Sequence, residues 1–185
     1  MPFLGFRPSP SSVHPRNEPS APSWGGAVEV RSRGRVTLAS AAYAKPIVDP
    51  AYFADEADLD VLVAGIRIAR QIAECEPLAG ITAGEMTPGA NVDDAEQIRE
   101  WIRATSGTMF HPTGTAAMGS NADAVCDPEL LVRGVDGLRI VDASVMPETP
   151  RGNTNAPTIA VAERAADLIA GNTPLSIREQ EQELV

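Results

Sequence analysis

The chain has 185 residues, enough to bury a core within one domain. Its 25 acidic side chains against 15 basic ones leave a formal charge of -10, which excludes the clustered cations that sequence-independent nucleic-acid binding requires. Cys75 and Cys126 are the only cysteines and form no C-x-x-C pair, so there is neither a disulfide framework nor a zinc signature.

In chain order, residues 1–24 carry six prolines and five serines, with Phe3, Leu4 and Phe6 as the only apolar cluster near the start. Such a composition buries too little surface to offset its ordering entropy, so a disordered tail is expected, with folded structure beginning near Trp24. His14 lies in that tail and carries no functional expectation. The alternating segments Val28-Glu29-Val30 and Arg35-Val36-Thr37-Leu38 flank Ser32-Arg33-Gly34 and predict a hairpin, with Gly34 supplying a positive φ.

Leu59, Leu62, Val63, Ile66, Ala69 and Ala73 recur at helical spacing after a stretch of acids, Asp55 to Asp60. Those acids read as a solvated helix start at the positive end of the dipole. Asp93-Asp94-Ala95-Glu96 has capping spacing ahead of Ile98, Trp101 and Ile102, which predicts a second helix ending near Gly107. Leu138-Arg139-Ile140-Val141 predicts a short strand that delivers Asp142, and Asp127-Pro128 predicts a turn. A last helix opens at Asn155-Ala156-Pro157, where proline is tolerated because a first-turn N–H is unpaired anyway, and runs to Gly171. Residues 173–185 read as a polar extension, leaving 25–172 as the folded region.

His111, in Phe110-His111-Pro112-Thr113-Gly114-Thr115, stands between apolar residues and a turn. An imidazole has an ordinary pKa near neutral pH, which suits it to accept a proton, although a lone histidine is more often structural. Asn153 and Asn155 suit helix capping, and Asp142 suits an Asx turn. No G-x-S-x-G, H-E-x-x-H or phosphate-binding loop occurs, so hydrolase and metalloenzyme readings lack a constellation, and no metal site is expected. No run of about eighteen apolar residues and no signal peptide is seen, so the expected behaviour is soluble and, by default, cytoplasmic.

From Trp24 to Ala170 the chain resembles the carboxyl-terminal portion of the glucose-methanol-choline (GMC) flavoprotein oxidoreductases. The residues that carry this are Ser32-Arg33-Gly34-Arg35-Val36, Lys45-Pro46-Ile47-Val48-Asp49-Pro50 and Asp58-Leu59-Asp60-Val61-Leu62. The ordered set His111-Pro112-x-Gly114-Thr115, Asp127-Pro128, Val141-Asp142-Ala143-Ser144 and Gly152-Asn153-x-Asn155 is the specific part.

The resemblance implies an α+β domain: an antiparallel substrate-domain sheet packed with helices, and a C-terminal helix that returns to an FAD site. It implies oxidation of an alcohol CH–OH group by hydride transfer to FAD, with His111 as the base and Asn153 positioning the substrate oxygen. Asparagine offers donor and acceptor without titrating, so His111 would be the proton acceptor of the pair. Phe110, Asp142, Ala143, Asn153, Thr154 and Asn155 are the implied cofactor contacts.

Known members are longer and open with a glycine-rich βαβ unit, whereas no G-x-G-x-x-G occurs here. The expectation is therefore a fragment, a truncated product or a chain whose Rossmann-like FAD-binding half is supplied by a partner or replaced by self-association. The implied partner otherwise is a small alcohol, with no nucleic acid and no membrane. Two alternatives stand beside this one: a catalytically inactive remnant serving as a folding or interaction module, and a flavin-containing hydroxynitrile lyase.

Overall fold

The computed structural model describes residues Leu4–Phe6 and 26–172. Trp24, His14 and the polar extension at 173–185 lie outside the described residues. The described part falls into two compact units, one ending at His111 and the other beginning at Pro112.

The first unit holds β1 (Leu4–Phe6), β2 (Gly26–Ala27), β3 (Arg35–Thr37), β4 (Ile47–Asp49), α1 (Ala57–Ala73), α2 (Ala95–Thr105) and β5 (Ser106–Thr108). β1 is the centre of a small antiparallel sheet of order β2-β1-β5, so Leu4–Phe6 is an exception to the expected tail. Its backbone groups find partners far along the chain, in Gly26–Ala27 and Ser106–Thr108, which composition cannot reveal.

α1 buries Leu59, Leu62, Val63 and Ile66, the spacing of one helical face. α2 adds Ile98 and Ile102, and Ala27 and Val30 close the core, with Tyr52, Phe53, Val92 and Trp101 packed around it. Asp94 caps α2, its carboxylate accepting from the backbone N–H of Glu96 at 2.8 Å. Arg99 and Arg103 of α2 reach Asp60 and Glu56 at the start of α1, the latter pair at 2.7 Å.

Two expectations are corrected here. The hairpin forms between β3 and β4, pairing Val36 with Val48, and does not involve Val28 to Val30. Gly34 does not supply a positive φ; a Cβ there would lie 2.2 Å from the Asp49 carbonyl oxygen, so the glycine is required by close backbone approach. The second correction concerns the acids before α1. Asp58 is buried at 3 % exposure and accepts from Arg31 N (2.7 Å), Ser32 N (2.9 Å) and Ser32 Oγ (2.5 Å). Ser32 Oγ in turn accepts from Asp55 N at 3.0 Å, so the Ser32 loop is bonded down onto the first turn of α1.

In the second unit, single backbone bridges take the place of the strand expected at Leu138 to Val141. Leu131 bridges Arg139, and Cys126 bridges both Met118 and Val132. A short 3₁₀ turn (Ala143–Val145) follows, then α3 (Asn155–Ala170), which ends at Gly171 in the left-handed conformation (φ 74°). Its core is Leu130, Val145 and Ala165, with Met118, Ile140, Val141 and Val161 against it. Among the described residues no helix is long and apolar enough to cross a membrane.

Candidate active site

The motif residues lie on loops and element ends. In the first unit, β5 runs into a reversal at Phe110, whose φ is 62° and whose amide donates to Thr108 Oγ1 at 2.9 Å. A bulky side chain in this region costs energy, and such outliers gather at functional sites. Phe110 is 69 % exposed, and His111, next in the chain, is half-buried.

In the second unit, Asp142 immediately precedes the 3₁₀ turn. Its Oδ1 accepts from Ser144 N at 2.7 Å, which is the Asx-type turn expected at that residue. The Ser144 hydroxyl and then the Ser144 amide hold the Asp142 carboxyl below its ordinary range, because both bonds favour the charged form. Ala143 opens the turn itself.

Asn153 is exposed in the loop ahead of α3, and Asn155 is the exposed first residue of that helix. The capping expectation for these asparagines is corrected, since the N-cap position belongs to Thr154, which is buried at 8 % exposure. α1 and α2 both carry acids in their first turn, whereas α3 carries none, which leaves the positive end of its dipole without a carboxylate of its own. Thus Asp142, Ala143 and Asn153 to Asn155 share one unit, each group leading into a helical turn, while Phe110 and His111 close the other.

Two residues carry more than the sequence suggested. Thr113, the variable position of the His111-Pro112-x-Gly114-Thr115 motif, is 3 % exposed, and its Oγ1 lies 3.1 Å from Thr149 Oγ1. Nothing local singled out Thr113, since Thr115 in the same turn also carries a hydroxyl, and Thr149 had no signal either. Cys126 is fully buried, and burial pushes its thiol up, which disfavours the thiolate a nucleophile needs. Among the described residues no group of three His, Cys, Asp or Glu side chains comes together as a metal site would require.

The family model described as GMC oxidoreductase matches residues 30–162. An uncharacterized GMC-type oxidoreductase of Mycobacterium tuberculosis is 46% identical over 146 residues, covering 77% of this chain and 28% of that protein. Choline oxidase of Arthrobacter globiformis is 47% identical over 144 residues, covering 75% of this chain and 26% of the oxidase. Among solved structures, an FAD-dependent oxidoreductase from Chaetomium thermophilum superposes with a TM-score of 0.76 at 30% identity, covering 80% of this chain and 26% of that one. The chain therefore spans about a quarter of the length of the relatives it matches. A family match over most of the described residues makes this chain a member of the GMC oxidoreductase family.

Proposed function

We propose that this chain is the substrate-side, active-site portion of an FAD-dependent oxidoreductase acting on the CH–OH group of an alcohol. The observation that carries the reading is the presentation of Asn153, exposed in the loop that enters an α3 whose first turn has no acid. Family membership and the activity named for its choline oxidase relative support the same direction.

The residues present fit a flavin. The N-terminus of α3, with no acid in its first turn, offers a positive dipole end, which suits an anionic or electron-rich ring edge. Asp142 stays charged while its Oδ1 accepts from Ser144 N–H, so its carboxylate would meet a cofactor hydroxyl rather than the diphosphate. Phe110, Asp142, Ala143, Asn153, Thr154 and Asn155 would hold the cofactor. When bound, FAD supplies the hydride acceptor.

The chain's own work is then to bind the alcohol, orient it and take its proton. His111 Nε2 or Nδ1 accepts the hydroxyl proton. The Asn153 amide donates to the substrate oxygen and holds it in place without changing charge at any ordinary pH.

An absorbance spectrum of the purified chain, with FAD added and free flavin removed by gel filtration, is the first test. Retained flavin bands support the reading, and a colourless protein supports the module alternative for the chain by itself. In flavin-loaded protein, His111→Ala should slow reduction by alcohol by about 100-fold or more, the range for losing a general base. Unchanged reduction would sink the assignment of His111. Peroxide formed in air marks an oxidase, transfer to quinones without peroxide a dehydrogenase, and cyanide released from a cyanohydrin the lyase alternative.

A further inference from the structure

The loop from Met146 to Thr154, which carries Asn153, contains no helix or strand. Its neighbour is the segment that begins at Pro112. Backbone bonds hold that segment against the 3₁₀ turn just ahead of the loop: Met118 N donates to Val145 O at 2.8 Å and Ala116 N to Ser144 O at 3.0 Å. At Gly114 the chain turns with φ +81°, and a Cβ there would lie 3.3 Å from the Met146 carbonyl oxygen. One step further, the contact passes from backbone to side chains, as Thr113 Oγ1 meets Thr149 Oγ1 at 3.1 Å.

We propose that Thr113 is a positioning residue, whose hydroxyl bond to Thr149 fixes the loop that presents Asn153. The proposal rests on the function assigned above to Asn153. Thr113 is 3 % exposed, so water cannot readily replace its partner, and a shielded hydroxyl bond holds its geometry better than an exposed one. The placement matters because of chain continuity. Thr113 follows His111 by two residues, a reach of at most about 7 Å, and Thr149 precedes Asn153 by four. The bond thus anchors the loop four residues ahead of Asn153. Valine has nearly the same shape as threonine and lacks the hydroxyl, whereas serine keeps the hydroxyl and loses the methyl group.

The test is amide hydrogen exchange of the purified chain, read by NMR, for Thr113→Val, Thr149→Val, the double variant and Thr113→Ser. Each valine variant should speed exchange at Gly152 and Asn153 by about tenfold, the equivalent of one net hydrogen bond. The double variant should fall short of the product of the two single effects, Thr113→Ser should exchange as the parent does, and amides at Ala165 to Ala170 should not change. Unchanged exchange at Gly152 and Asn153, additive single effects, or an equal rise along α3 would each overturn the proposal. In flavin-loaded protein, Thr113→Val should lower kcat with little change in KM, and Thr113→Ser should restore it. Accelerated exchange with unaltered kcat would overturn the positioning role, while His111→Ala separately tests the function on which it rests.

Discussion

Asp142 and Asp58 show how two carboxylates acquire roles from their hydrogen-bond donors. Asp142 remains exposed and bonds within its own turn, so the local sequence Asp142-Ala143-Ser144 is sufficient to specify its role. Its folded pKa lies below the ordinary value of 3.8 because the Ser144 hydroxyl and amide favour the carboxylate. The depressed value means that the stabilisation is fully present above the unfolded pKa and is lost as pH falls through the folded one. An NMR titration of the Ser144 amide should therefore show its midpoint below 3.8, and Asp142→Asn should abolish that transition. A midpoint at or above the ordinary value would contradict the cap. Solvent screening at this exposed turn keeps the effect on global stability small. Asp58 lies among similar acids, yet its donors come from Arg31 and Ser32, 27 and 26 residues earlier. Nothing in its immediate neighbourhood separates it from solvated Asp60, so its burial was not legible.

Helices were the most legible elements, because their signals are local. The i, i+3, i+4, i+7 face of α1, the Asp94 cap of α2 and the Pro157 and Gly171 punctuation of α3 lie within the segments they define. Strands were less so, because an extended segment does not specify its partner. β3 pairs with β4 across the Leu38 to Pro46 loop, and Gly34 lets the chain pass under Asp49 and Pro50. Gly34→Ala should destabilise the first unit by about 3 kcal/mol, the upper end of overpacking costs, because the obstructing atoms are backbone. A urea unfolding midpoint that reports a change under about 0.5 kcal/mol, the scale of neutral surface substitutions, would show that the approach can relax. The motif segments were legible as an ordered series, but the Thr113–Thr149 bond was not, since it joins side chains 36 residues apart.

At the scale of the molecule, each unit has its own apolar cluster, one around Leu59 and Ile102 and the other around Val145. The β3–β4 ribbon contributes to neither cluster, with Val36 at 48%, Leu38 at 86%, Ile47 at 55% and Val48 at 66% exposure. A two-stranded ribbon is marginal by itself, and a run of exposed apolar side chains attracts hydrophobic probes. The purified chain should therefore enhance the fluorescence of an anilinonaphthalene dye, and the paired substitutions Val36→Ser and Val48→Ser should reduce it. Equal fluorescence from parent and variant would show that these side chains are covered in solution.

The sequence by itself determined the acidic balance, the three main helices, and the order of motifs that carries family membership, although α2 stops at Thr105 and Gly107 lies in β5. Those properties are sums over residues or depend on neighbours within a few positions. Tertiary structure alone decided which segment pairs with β3, that Leu4–Phe6 joins a sheet, that Asp58 is buried and that Thr113 meets Thr149. Each of these requires backbone or side-chain groups distant in sequence to satisfy one another. That choice is made by the packing of the whole unit, because any one segment has several chemically equivalent partners until the core brings a particular one within hydrogen-bonding distance.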